Sequence, residues 1–166
     1  MQTPTPPPVP KLDGTGLRIG IVVARYNWPI TGAMLQLAQE ELRGLGVEDL
    51  PVVSTPGSYE LATTAKAMLT GASYDALICL GCVMKGETRH DVVVSDAAAQ
   101  GIQRVALEMG VPIIFGVMCA ENHQQAEARI ARGKECAQAA VEMARTVQLL
   151  TRATPAKEQG DVHRDR

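Results

Sequence analysis

A chain of 166 residues has the length of one ordinary domain, and 46% hydrophobic residues are enough to bury a core without disulfide or metal staples. Its 16 Lys and Arg against 18 Asp and Glu leave a net charge of -2, so no global basic field exists to attract nucleic acid, and disorder over most of the chain is excluded. No apolar run approaches the roughly 20 residues that a membrane-spanning helix needs.

The first ten residues, MQTPTPPPVP, hold five of the ten prolines. Proline lacks a backbone donor and fixes φ, so residues 1–12 are expected to form an extended arm that enters neither a helix nor a central strand. The arm has no basic n-region and no apolar h-region, unlike a secretory signal, and the cytoplasm is the expected compartment. Residues 13–152 are expected to form one domain in which two patterns alternate. Residues 17–24 (LRIGIVVA), 50–55, 74–83 (YDALICLGCV) and 111–118 (VPIIFGVM) are short runs rich in Val and Ile, as in parallel strands buried on both faces. Between them Met34, Ala38, Leu42 and Leu45 recur at helical spacing, as do Leu61, Ala65 and Met68, and then Val94, Ala98, Ile102, Val105 and Met109. Residues 122–132 read as a further helix, and Cys136, Ala140, Met143, Val147 and Leu150 form a last apolar stripe. The remainder, 153–166, mixes Pro155 and Gly160 with charged residues and is expected to be a disordered tail. Strands alternating with helices predict an α/β fold: a three-layer α/β/α sandwich with a central four-stranded parallel sheet, flavodoxin-like.

Ligands of such sheets bind beyond the carboxyl ends of the strands, here in loops 25–31, 56–60, 85–91 and 119–122. The third loop follows Gly81-Cys82-Val83-Met84 and reads Lys85-Gly86-Glu87-Thr88-Arg89-His90-Asp91. Backbone donors, a glycine, a hydroxyl and two cations suit an anion or phosphate. The plainer alternative, with Glu87 and Thr88 capping a helix and Lys85 and Arg89 solvated, stays open on the loop alone. His90 is the histidine placed for proton transfer, whereas His123 and His163 are expected to face solvent. In the second loop, Thr55-Pro56-Gly57-Ser58-Tyr59-Glu60, Ser58 and Glu60 stand two residues apart, not at capping-box spacing, which favours a hydroxyl-bearing ligand. Tyr26, Trp28, Tyr59 and Phe115 are expected near carboxyl ends of strands, where a flat ring stacks on a planar heterocycle. Cys79 and Cys82 have C-x-x-C spacing but no second pair, and all four cysteines are expected to be reduced core residues.

Taken in order, Arg25-Tyr26-Asn27, the Thr55–Glu60 loop, Gly81–Thr88 with His90, Phe115-Gly116-Val117, Gln125-Ala126 and Arg129 resemble the lumazine synthase family. The resemblance runs from about residue 17 to 150. It implies condensation of 5-amino-6-(D-ribitylamino)uracil with 3,4-dihydroxy-2-butanone 4-phosphate to 6,7-dimethyl-8-ribityllumazine, in riboflavin biosynthesis, with no metal and no organic cofactor. On this resemblance Tyr26 stacks on the pyrimidine; Ser58, Tyr59 and Glu60 hold the ribityl chain and ring; Cys82, Val83 and Met84 line the pyrimidine pocket through backbone; and Phe115 closes it. Glu87 and Thr88 present phosphate-binding N–H groups, Arg129 is the phosphate's cationic partner, and His90 donates and accepts protons.

The family pattern is altered in two places. Arg89 and Asp91 flank His90, and the family's Gly-Asn-Lys-Gly turn before the last helix is absent, with Arg132 in reach of the lost lysine's place. The resemblance also implies a homo-oligomer built on pentamers with active sites between neighbouring subunits; a pentamer or a dimer of pentamers is expected here, because the prolines of the arm weaken strand addition to a neighbour. The competing reading is a non-catalytic lumazine- or flavin-binding module on the same fold, and the presence of His90, Thr88 and Arg129 favours the enzyme.

Overall fold

A computed structural model describes residues 3–152; the expected tail, 153–166 with His163, and the first two residues of the arm lie outside the described residues. Four strands and five helices follow in order: β1 (Ile19–Ala24), α1 (Trp28–Gly44), β2 (Val52–Thr55), α2 (Leu61–Gly71), β3 (Ala76–Met84), α3 (His90–Met109), β4 (Ile113–Ala120), α4 (His123–Glu127) and α5 (Arg132–Arg152), with a short 3-10 turn, Ser58–Glu60, ahead of α2. All strand pairs are parallel and the order is β2-β1-β3-β4, the first four strands of a flavodoxin-like sheet.

Side-chain alternation explains why the strands read as unbroken apolar runs. Ile19, Ile21 and Val23 of β1, with Ile78, Leu80 and Cys82 of β3, pack under α1 and α5. Val22, Ala24, Leu77 and Cys79 point the other way, under α2 and α3. Cys79 and Cys82 therefore lie on opposite faces of the sheet and cannot share a ligand. Residues 3–13 form no helix or strand, and β2, whose Val52, Val53 and Ser54 are exposed, is one free edge of the sheet.

The expected helix over 122–132 is not continuous. Asn122 Oδ1 caps α4 by accepting from the Gln125 N–H at 2.8 Å, the helix stops at Glu127, and three-residue turns lead into α5 at Arg132. The break has a packing cause. Gly133 lies against the Met34 carbonyl of α1, where any Cβ would collide, so the chain must turn until glycine meets α1. No described helix is long and apolar enough to cross a membrane.

Candidate active site

The neighbours β1 and β3 feed crossovers that run in opposite senses, to β2 and to β4, which opens a crevice at their carboxyl ends. Hydrogen bonds draw the neighbouring loops together there. The Arg25 N–H donates to the Thr55 and Pro56 carbonyls at 2.9 and 3.1 Å, and the Tyr26 N–H donates to Pro56 O at 3.0 Å, which ties the exit of β1 to that of β2. Asn27 Nδ2 donates to Cys82 O at 2.7 Å and ties it to β3.

The turn Ser58–Glu60 is built by small residues. Gly57 lets the Tyr26 ring come down on its backbone, since a Cβ there would lie 2.7 Å from the ring. Gly81 of β3 leaves space for the Ser58 hydroxyl, which is 5% exposed. Glu60 Oε2 accepts from the Gly57 N–H at 2.9 Å. Ser58 and Glu60 form no capping box, but Glu60 caps the turn from Gly57, three residues before it, and the carboxylate alone forms the cap because glycine has no side chain to return it. One carboxylate oxygen braces the turn, and the other remains for a ligand.

His90 opens α3, is exposed, and its N–H donates to Thr88 Oγ1 at 3.3 Å. Tyr26, Gly57, Ser58, Tyr59, Glu60, His90, Val93 and Val94 line one cavity of about 390 Å³. Two phenol rings, a serine hydroxyl, a carboxylate and an imidazole beside two valines suit a planar heterocycle carrying a polyol. A larger groove of about 760 Å³ lies between α2 and α3, on the outer helical face and away from the strand ends, with Lys66 and Glu108 paired at 3.3 Å along it.

The other expected residues stand apart from this cavity. The Cys82 side chain is core, and its thiol is pushed up to about 11 by burial, with the charge of Cys119 adding to it. Val83 lines a second cavity of about 270 Å³ with Lys85, Asp91, Ser95 and Cys119. Lys85 is paired with Glu121 at 3.4 Å, and Glu87 and Thr88 are exposed, Thr88 spending its hydroxyl on the His90 N–H. Met84, half-buried, ends β3 at the crevice. Cys119 is not core: it is exposed, its thiol donating to Ser95 Oγ at 3.2 Å, because it sits on the outer strand of the sheet. Nor is Phe115 at a strand end. Pairing of β3 and β4 continues to Met84–Ala120, which leaves Phe115 third in β4, opposite Cys79 and 38% exposed. Arg129 is exposed in the turn before α5. His123 faces solvent as expected, 3.2 Å from Glu127. Neither Phe115 nor Arg129 touches the cavity that holds His90.

Three residues of the site went unassigned in the sequence. Val93 and Val94 complete the cavity wall, although the stripe containing Val94 read as core, and Asn27 carries the bond to Cys82. Asn27 is the one non-glycine among the described residues with positive φ, 60°. An asparagine just ahead of a Trp-Pro helix start was the available signal.

Comparison with known proteins identifies the family. The profile of the family described as 6,7-dimethyl-8-ribityllumazine synthase matches residues 16–148. The 6,7-dimethyl-8-ribityllumazine synthase of Cupriavidus necator is 45% identical over 142 residues, covering 84% of this chain and 86% of that protein. The proteins of the same name from Paraburkholderia phytofirmans and Laribacter hongkongensis are each 44% identical over 138 residues, covering 81% and 80% of this chain and 82% and 88% of theirs. With the profile spanning most of the chain and these relatives matched over more than four fifths of their length, the chain belongs to the 6,7-dimethyl-8-ribityllumazine synthase family.

Proposed function

We propose that this protein condenses 5-amino-6-(D-ribitylamino)uracil with 3,4-dihydroxy-2-butanone 4-phosphate to 6,7-dimethyl-8-ribityllumazine, releasing phosphate and water. The observation that carries the reading is the convergence of Tyr26, Ser58, Tyr59, Glu60 and His90 on one cavity at the sheet's switch point, in a member of this family. In this reading Tyr26 stacks on the pyrimidine, the Ser58–Glu60 turn and the free oxygen of Glu60 engage the ribityl hydroxyls, and the end of β3 over Cys82, Val83 and Met84 lines the pocket, with the Met84 peptide meeting the polar edge of the ring. Imine formation, phosphate elimination and ring closure each move a proton, and His90 gives and takes it. Holding two substrates together supplies a large share of the acceleration.

Phosphate is held by the backbone at Glu87 and Thr88 and by Arg129. Because Phe115 and Arg129 lie away from the cavity of their own chain, a second copy delivers them, and the working unit is a pentamer-based homo-oligomer with sites between subunits. The arm adds little to this assembly: Pro4, Pro6, Pro8 and Pro10 remove the donors from one side of any strand it forms and Pro7 interrupts the other, so strand addition to a neighbour is weakened. Four free cysteines suit a reducing compartment, and we place the protein in the cytoplasm.

Co-expression of His90→Ala and Arg129→Ala chains tests the shared site. Random mixing reunites wild-type His90 and Arg129 in about a quarter of sites drawn from different copies, so the mixture recovers activity well above that of either variant alone. No recovery, with mixed assemblies verified, contradicts the reading.

A further inference from the structure

The crevice between β1 and β3 is closed at its base by one side chain. The β1–β3 ladder ends at the pair Val23–Leu80, whereas β3 runs on to Met84. Alternation fixes which way each peptide faces. Ile19 and Ile21 donate to Asp49 O and Pro51 O, so odd-numbered residues of β1 bond toward β2; Leu77 and Lys85 donate to Pro112 O and Ala120 O, so odd-numbered residues of β3 bond toward β4. The even-numbered residues of both strands therefore face each other. In a continuing ladder the Cys82 carbonyl would receive the Tyr26 N–H, but that N–H donates to Pro56 O at 3.0 Å. Left alone, a buried carbonyl costs ~1–3 kcal/mol.

Asn27 takes the vacated place, its Nδ2 lying 2.7 Å from Cys82 O. Reaching that carbonyl requires the left-handed backbone at φ 60° and ψ 42°, which asparagine tolerates better than most side chains. The carbonyl of Asn27 in turn accepts from the Ile30 and Thr31 N–H groups at 2.9 and 3.1 Å and so starts α1. One residue thus joins the exit of β1, the exit of β3 and a helix start. Beyond it, the N–H and C=O of Met84 face the crevice with no strand opposite them, on the side where Tyr26 stands.

We propose that Asn27 is the positioning residue of the heterocycle subsite: by clamping the Cys82 carbonyl it holds the spacing between the Tyr26 ring and the Met84 peptide that a planar ring must fill. The proposal rests on assigning this crevice to the pyrimidine substrate.

Two variants separate the clamp from the backbone. Asn27→Gly keeps the left-handed conformation and removes the donor, and Asn27→Asp keeps the size but turns an acceptor toward the Cys82 carbonyl. In steady-state kinetics the account predicts that KM for the ribitylaminouracil rises about tenfold in Asn27→Gly and further in Asn27→Asp, as expected for loss of one hydrogen bond and then repulsion. KM for the butanone phosphate and kcat stay within about threefold of wild type, since the clamp touches neither the phosphate groups nor His90. A wild-type pyrimidine KM in both variants overturns the proposal. So does a parallel rise of both KM values with falling kcat, the mark of general unfolding. Equilibrium binding of the ribitylaminouracil alone, followed by the fluorescence of Trp28, the single tryptophan, repeats the comparison without turnover. Failure of the wild type to form product then counts against the synthase reading, and unchanged binding by the variants counts against the clamp.

Discussion

Replacing Gly81 by alanine should damage the site by displacing a substrate-binding group, Ser58, rather than by removing one. The new methyl would overlap the Ser58 hydroxyl and come within 3.2 Å of Leu61 Cδ1. Ser58 is 5% exposed and Leu61 fully buried, so neither can step aside. Overpacking of this kind costs about 1–3 kcal/mol, or roughly 2–12 °C in the unfolding midpoint of a chain this long. Relief comes only if the Ser58–Glu60 turn lifts from β3, which displaces Ser58 and Glu60 from the cavity; KM for the ribitylaminouracil should then rise about tenfold, equivalent to ~1.4 kcal/mol of that strain. Gly44→Ala is the control. Nothing lies within 4 Å of a Cβ there, and alanine in a helix is favoured by about 0.5–1 kcal/mol over glycine. Urea midpoints and steady-state kinetics of both variants, compared in the same assembly state, read the two effects. A Gly81→Ala protein with wild-type midpoint and wild-type KM would refute the packing argument.

His90→Ala should lower kcat by roughly 10²-fold with the assembly intact, and an unchanged kcat would remove His90 from proton transfer. Arg129→Ala should raise KM for the butanone phosphate far more than for the pyrimidine; equal effects on both would show that Arg129 does not hold phosphate. The buried thiols give a pH dependence. Burial pushes Cys79 up to about 12, and burial with Cys119 pushes Cys82 up to about 11, against an ordinary value of 9.0. Below pH 9 these thiols are protonated in both states and add no slope; from pH 9 toward 11 the unfolded chain loses protons that the folded chain keeps, so stability falls as pH rises. Urea midpoints between pH 8 and 11 should fall less steeply in Cys82→Ala, and an identical slope would contradict the burial argument.

The strands and most helices were legible because burial on both faces leaves continuous Val and Ile runs, and covering helices leave apolar stripes. Strand ends moved by about two residues where proline and pairing decide them: Pro112 stays outside β4, and the partnership with β3 carries that strand on to Ala120. Phe115 accordingly lies on the outer strand rather than at a strand end. The break at Glu127 could not be read from helical spacing, since it depends on Gly133 reaching Met34 of α1. Loop chemistry was visible in Ser58, Glu60 and His90 because few core residues have hydroxyl, carboxylate or imidazole groups. The roles of Gly57, Gly81 and Asn27 were not, because each is set by a neighbour distant in sequence: the Tyr26 ring, the Ser58 hydroxyl and the Cys82 carbonyl.

The central claim is the condensation itself, and the most direct measurement is formation of 6,7-dimethyl-8-ribityllumazine, followed by its absorbance, from the ribitylaminouracil and the butanone phosphate beside buffer and His90→Ala controls. The account predicts acceleration over the uncatalysed reaction that is largely lost in both His90→Ala and Arg129→Ala. Tight binding of the lumazine or riboflavin with no acceleration would contradict it and make the protein a binding module on this fold.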